Sequence, residues 1–255
     1  MTATATALVP PTPSVSPELV ALLRRLKLGK TLDTLPERLA LARQRKLGHA
    51  ELLELVLADE VARRERHATI LRARTARLDP AMTLETWNAE AAVTYDHTLW
   101  AELTTLRFVQ DAHGVLILGP VGVGKTHLAH ALGHIACRRR LRVHADRADR
   151  LFKRLKAARL DNSHDAELRR LIAVDLLIID DFALQAMNPT ETADFYEIIV
   201  ERHQSTATVV TSNRDPAKAH TFAPRCARWH RKFTGPPGCG PSRRCRAGTT
   251  WPTQG

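Results

Sequence analysis

Cysteine is scarce: there are four in 255 residues, and only Cys137 lies before residue 217. That distribution gives no disulfide framework and suits a reducing compartment. No window is apolar enough, for long enough, to span a bilayer. The opening MTATATALVPPTPSVS has neither a basic n-region nor an apolar h-region, so the expectation is a cytoplasmic protein with a disordered tail over residues 1–16. No internal repeat is visible. Acid is the scarcer sign, 27 Asp and Glu against 38 Lys and Arg, and the formal net charge of +11 points to a polyanionic partner, most simply nucleic acid. The basic excess is confined to the two ends. Residues 217–255 hold eight Lys and Arg and no acid at all, whereas the middle of the chain is mildly acidic.

Residues 17–79 read as a small all-helical module. Ser16-Pro17-Glu18 sets an N-cap, a proline at the first helical position and an early acid in a row, followed by Leu19, Leu22, Leu23 and Leu26 at helical spacing. A second helix is expected from about Pro36. A third, long one runs through HAELLELVLADEVARRERHATILRARTARL, with Leu52, Leu53, Leu55, Val56, Val61 and Ile70 as its apolar stripe. Midway this helix turns from Glu51, Glu54, Asp59 and Glu60 to Arg63, Arg64, Arg66, Arg72, Arg74 and Arg77. Those arginines fit equally a solvated face whose cations suit the helix dipole and a surface that contacts DNA phosphates.

From residue 80 short apolar runs alternate with amphipathic helices, as a parallel α/β sheet requires. Strands are expected at Val115–Leu118, Leu141–Ala145, Leu176–Ile179 and Thr208–Thr211, and helices near 125–138, 147–159, 166–173 and 190–203. Gly119-Pro120-Val121-Gly122-Val123-Gly124-Lys125-Thr126, with His127 after it, fits GxxxxGK[ST] between a strand and a helix, the context that makes the motif specific. Such glycines let backbone N–H groups turn toward phosphates, Lys125 is expected on the β- and γ-phosphates of ATP, and the Thr126 hydroxyl on Mg²⁺. The buried run LLIIDD ends in Asp180, placed for the metal, and Asp181, placed to polarise an attacking water. The run VVTSN ends in Asn213, which would point at the γ-phosphate if its strand lies beside the other two. Arg138-Arg139-Arg140 and Arg142 close the helix after the glycine-rich loop, a position the dipole favours.

GPVGVGKTHLAHALG, LLIIDDFAL, TADFYEIIVERH and VVTSNRDP, in that order, resemble the IstB-like ATP-binding proteins encoded by bacterial insertion sequences. ELLELVLADEVARRER and LTTLRFVQDAHGVLILGP extend the likeness upstream, so that it covers about residues 17–216. The family is of the AAA+ class, a P-loop NTPase fold, and is close to the DnaC-type helicase loaders. The resemblance implies an ATP-dependent transposition helper that assembles on double-stranded DNA and recruits and stimulates a partner transposase. It makes Lys125 and Thr126 the Walker A residues, Asp180 and Asp181 Walker B, and Asn213 sensor 1. It gives the helical module DNA contact and self-assembly. A helicase loader acting on single-stranded DNA and a hydrolysis-deficient DNA-binding remnant are the alternatives. A small-molecule kinase is disfavoured, because no substrate lid or acceptor site is visible.

After Pro216 the family pattern stops. The resemblance implies a further helix with a trans-acting arginine and a last strand, and AKAHTFAPRCARWHRKFTGPPGCGPSRRCRAGTTWPTQG supplies neither. Cys226, His230, Cys239 and Cys245 are zinc-ligand types without the paired spacing of a zinc knuckle. A basic DNA-binding tail is a second reading. A shifted reading frame is the favoured third, since composition and family pattern change at one point. The expectation is a chain that binds ATP, with an ATPase domain over 80–216 truncated at its end, and hydrolyses it slowly.

Overall fold

The computed structural model describes residues 15–87, 96–184 and 186–213, and the chain divides into two compact units, residues 1–70 and 71–255. The division falls inside the third helix rather than at 79/80. Ala73, Ala76 and Leu78 are buried in the core of the second unit, and Arg77 donates to the buried carboxylate of Asp146 at 2.6 Å. Most of the expected N-terminal tail, and the whole of 217–255, lie outside the described residues.

In the first unit, α1 (Pro17–Arg25) starts as its sequence predicts, with the Ser16 hydroxyl accepting from the Leu19 amide at 3.2 Å. A 3₁₀ turn over Gly29–Asp33 leads into α2 (Leu35–Arg45), which has Pro36 in its first turn. The long α3 (His49–Thr75) follows. Arg38 grips Asp59 through two hydrogen bonds of 2.6 and 3.0 Å. The expected apolar stripe is only half used: Leu52, Leu55 and Val56 are partly buried, whereas Leu53, Val61 and Ile70 are more than 60% exposed. Two short helices and one turn offer too little surface within this unit to cover a 27-residue helix.

In the second unit, the short helices α4 (His97–Thr104) and α5 (Arg107–Gln110) precede β1 (Val115–Leu118). The remaining order is α6 (Lys125–Arg138), β2 (Val143–Arg147), α7 (Ala148–Leu160), α8 (His164–Ile172), β3 (Leu176–Asp180), α9 (Pro189–Arg202) and β4 (Ala207–Ser212). The four strands are all parallel, in the order β1-β4-β3-β2. Both faces are covered, which is why the strands read as unbroken apolar runs. Leu176, Ile178 and Val209 pack with Leu128, Leu132 and Ile135 of α6 on one face. Leu177, Ile179 and Val210 pack with Leu151, Leu171 and Ile198 on the other. Cys137 is buried, and burial pushes its thiol up to about 11, so it is a packing residue rather than a reactive one.

β2 begins two residues later than its sequence suggests. Arg140 takes a left-handed φ of 62°, and the Leu141 amide turns back to the Ala136 carbonyl at 3.1 Å, so these residues close α6 instead of opening a strand. The shift makes Arg147 the last residue of β2, in register with Asp180. The shortness of α4 and α5, eight and four residues, explains why helical periodicity did not announce them.

Candidate functional site: a phosphate-binding loop and two acids at the carboxyl end of the sheet

β1, β3 and β4 deliver their carboxyl ends side by side, the edge where open parallel sheets take ligands. The loop after β1 needs its glycines: Gly122 and Gly124 have φ of 87° and 84°. A Cβ at Gly124 would also lie 2.5 and 2.7 Å from ring carbons of Trp87, so a side chain there is excluded twice over. α6 follows at once, its first intrahelical bond running from the Leu128 amide to the Gly124 carbonyl at 3.0 Å. The amides of Lys125, Thr126 and His127 thus belong to the first turn, where N–H groups lack helical partners and favour an anion.

The Lys125 ammonium is buried and donates to the Pro120 carbonyl at 2.7 Å. Burial lowers its pKa, opposed by Asp181 and Asp180. A buried cation over an anion-seeking helix start is suited to phosphate oxygens. The Thr126 hydroxyl bonds Oδ1 and Oδ2 of Asp180 at 3.0 and 3.1 Å. This pairs two oxygen donors of the kind Mg²⁺ prefers; that ion needs only one or two protein ligands, the rest being phosphates and water.

Asp180 closes β3, 5% exposed, and Asp181 follows in a left-handed conformation, φ 53°, partly open to solvent. Asn213, partly exposed, comes directly after β4, whose last residue, Ser212, accepts from the Gly119 amide at 3.3 Å. The fold therefore brings Lys125, Thr126, Asp180, Asp181 and Asn213 to one edge, as their spacing predicts. The His127 side chain is turned to residues 83–87. Its Nε2 lies 2.8 Å from the Thr83 carbonyl and its ring meets Trp87 edge-on at 5.2 Å, leaving the backbone amide as its contribution to the loop.

Three residues of this edge were not singled out from the sequence. Trp87 packs on the loop; Arg147 Nη2 stands 3.6 Å from Asp181 Oδ2; and the buried Thr211 hydroxyl donates to the Asp180 carboxylate and accepts from the Asp181 amide. A threonine in a strand reads only as a β-former, and the sequence pattern puts Arg147 at the start of a helix.

The arginines proposed for DNA are placed unequally. Arg63 and Arg64 bond the buried Glu60 at 2.7–2.8 Å, and the Arg63 bonds in particular pull that carboxyl down to about 2 against burial. Arg72 donates to the Cys137 carbonyl at 3.0 Å. Arg66 and Arg74 are exposed. Arg138 pairs with Glu85 at 2.8 Å and Arg142 with Asp175 at 2.7 Å, so the run after α6 serves the fold. Among the described residues no helix is long and apolar enough to cross a membrane.

The chain is 37% identical over 201 residues to an insertion-sequence ATP-binding protein of Mycobacterium tuberculosis, covering 78% of this chain and 80% of that one. It is 34% identical over 208 residues to the ATP-binding protein of insertion sequence IS1162 of Pseudomonas fluorescens, covering 81% and 90%. The fold is shared with AMPPCP-bound DnaA from Aquifex aeolicus, at a TM-score of 0.55 and 22% identity, covering 62% of this chain and 50% of that chain. The family described as IstB-like ATP binding protein matches residues 21–223, so its pattern runs a little past Pro216 rather than stopping there. That match spans most of the chain, and the insertion-sequence relatives agree with it: the chain belongs to the IstB-like ATP-binding protein family.

Proposed function

We propose that the chain is a DNA-associated transposition helper that uses Mg²⁺-ATP to assemble on double-stranded DNA and to recruit and stimulate a partner transposase. The observation that carries the nucleotide half is the Thr126–Asp180 pair, hydroxyl to carboxylate at 3.0 Å, beside the glycine-rich loop and the buried Lys125. The insertion-sequence relatives support transposition over helicase loading.

In this reading Lys125 leaves the Pro120 carbonyl for the β- and γ-phosphates. Thr126 and Asp180 hold the Mg²⁺, which when bound neutralises phosphate charge. Asp181 polarises the attacking water and Asn213 orients it. Arg66 and Arg74, with Arg63, Arg64 and Arg72 where their internal bonds exchange, contact DNA phosphates. Turnover is slow, since the resemblance assigns a trans-acting arginine to a segment whose pattern this chain does not repeat. Such arginines contribute about 10³ to 10⁵ in rate in P-loop enzymes.

The test is fluorescence anisotropy of labelled duplex and single-stranded DNA with the full chain, with and without ATP, beside Lys125→Ala. ATP is expected to tighten duplex binding at least about tenfold, Lys125→Ala to abolish that gain, and affinity to fall steeply with salt. Preference for the single strand would favour a helicase loader. Duplex binding indifferent to ATP would leave only a DNA-binding remnant.

A further inference from the structure

We infer that Thr211 is a positioning residue of the nucleotide site, a single hydroxyl that fixes the metal-side acid Asp180 and the water-side acid Asp181 relative to each other. The inference rests on the proposed Mg²⁺-ATP reading of that site.

Thr211 lies in β4, between the strands that carry the loop and the acids, and is fully buried. Its Oγ1 accepts from the Asp181 amide at 3.0 Å and donates to Asp180 Oδ1. With one proton to give and that proton committed to Asp180, the hydroxyl has a defined direction. The Thr126 hydroxyl lies on the same carboxylate at 3.0 and 3.1 Å, so Asp180 is held from β4 and from the first turn of α6. The backbone reinforces the clasp: the Phe182 amide donates to the Thr211 carbonyl at 2.8 Å, and the Ser212 hydroxyl donates to the Phe182 carbonyl at 2.8 Å.

Two consequences follow from this arrangement. The Asp180 carboxylate cannot rotate without breaking the Thr211 bond, so the lone pairs left for a metal are fixed before the metal arrives. Asp181 is held at φ 53°, a conformation that costs a non-glycine residue free energy and persists only where neighbours determine it. The two bonds from residues 181 and 182 to Thr211 are those neighbours. Valine has the shape of threonine without the hydroxyl. Thr211→Val therefore frees the carboxylate and strands the Asp181 amide while keeping the packing.

The experiment titrates a fluorescent ATP analogue into the full chain in EDTA and in Mg²⁺, for wild type, Thr211→Val, Thr211→Ala, Thr211→Ser and Lys125→Ala, with thermal unfolding to confirm that each folds. Wild type is expected to gain at least about fivefold in affinity from Mg²⁺. Thr211→Val, or Thr211→Ala should the valine variant not fold, keeps its EDTA affinity within about twofold and loses most of the metal gain; Thr211→Ser retains it. A valine variant with the full Mg²⁺ gain overturns the inference. So does a serine variant that loses as much as valine, since the methyl and not the hydroxyl would then matter. Failure of the underlying reading shows elsewhere, in wild type binding no better than Lys125→Ala, and that result takes the Thr211 assignment with it.

Discussion

Arg147, the last residue of β2, reaches across the carboxyl end of the sheet to Asp181, with Nη2 3.6 Å from Oδ2 and Nε 3.4 Å from Asp149 Oδ1. The guanidinium is half exposed, so the pair is worth at most about 1 kcal/mol. A restraint of that size on the acid proposed to polarise water can hold turnover down by no more than about fivefold. Arg147→Gln is therefore expected to raise basal ATP turnover by a factor between one and about five, with ATP affinity and melting temperature unchanged. A steady-state phosphate-release assay reads this, and a fall in turnover would show instead that Arg147 assists the reaction.

Gly124 and Trp87 give a second prediction. Gly124→Ala places a methyl against the Trp87 ring and also forces alanine to a φ of 84°. The backbone cost alone is about 1–2 kcal/mol, and the clash adds to it. Gly124→Ala is expected to lower stability by at least that much and nucleotide affinity by more than about tenfold. Combining it with Trp87→Leu removes the clash and leaves the strain, so the double variant should recover part of the loss. Additive losses in a double-mutant cycle would mean that ring and loop are not in contact in solution.

A third prediction concerns acid. Burial, together with Arg154, Arg170 and Arg77 and against Asp146, pushes His144 down to about 4. Its Nε2 lies 3.3 Å from Arg154 Nη2, where only a neutral ring can accept from the guanidinium. In the unfolded chain the imidazole titrates near 6.5, so between pH 6.5 and 4 the unfolded state binds the extra proton. Stability is then complete above pH 6.5 and falls as pH drops toward 4, by up to about 3 kcal/mol from this group. His144→Gln should flatten the pH 7 to 5 stability profile measured by urea denaturation; an unchanged slope would assign the acid loss to other groups.

What the sequence disclosed and what it hid follow one division. Periodicity, glycine spacing and the run LLIIDD announce the strands and point to Lys125, Thr126, Asp180 and Asp181, because these signals are local, whereas VVTSN points to Asn213 only if its strand lies beside theirs. Arg147 and Thr211 act through partners 34 and 30 residues away in the chain, and nothing in RADRLF or VVTSN marks those contacts. The end of α6 hid the start of β2, as Arg140 took the left-handed turn usually given to glycine. In α3 the apolar stripe was legible but its partner surface was not, and Leu53, Val61 and Ile70 emerged exposed. The Arg63–Glu60 and Arg64–Glu60 bonds sit at spacings of three and four, visible in the sequence once Glu60 is known to be buried.

The last prediction concerns Arg202, which ends α9 with its side chain fully enclosed. Nη1 donates to the carbonyls of Leu171, Ile172 and Val174 at 2.8, 2.9 and 2.8 Å, Nε to the Thr208 hydroxyl at 2.9 Å, and Nη2 to the Ala207 carbonyl. Burial lowers its pKa to about 10, opposed by Asp175, so it stays charged at neutral pH. The cation is thus stabilised by backbone oxygens that end α8 and begin β4, and it ties the two together at the amino end of the sheet. Arg202→Met keeps much of the apolar stem and leaves those carbonyls without their donor, each at a cost of about 1–3 kcal/mol before relaxation. A net loss of about 3–5 kcal/mol is expected, a large share of a typical domain's 5–15 kcal/mol. Arg202→Lys should recover only part of the loss, because one ammonium can serve the carbonyls that Nη1 meets but not Thr208 and Ala207 at the same time. Urea denaturation of the three proteins decides it, and a loss below about 1 kcal/mol in Arg202→Met would mean that water replaces the guanidinium at those carbonyls.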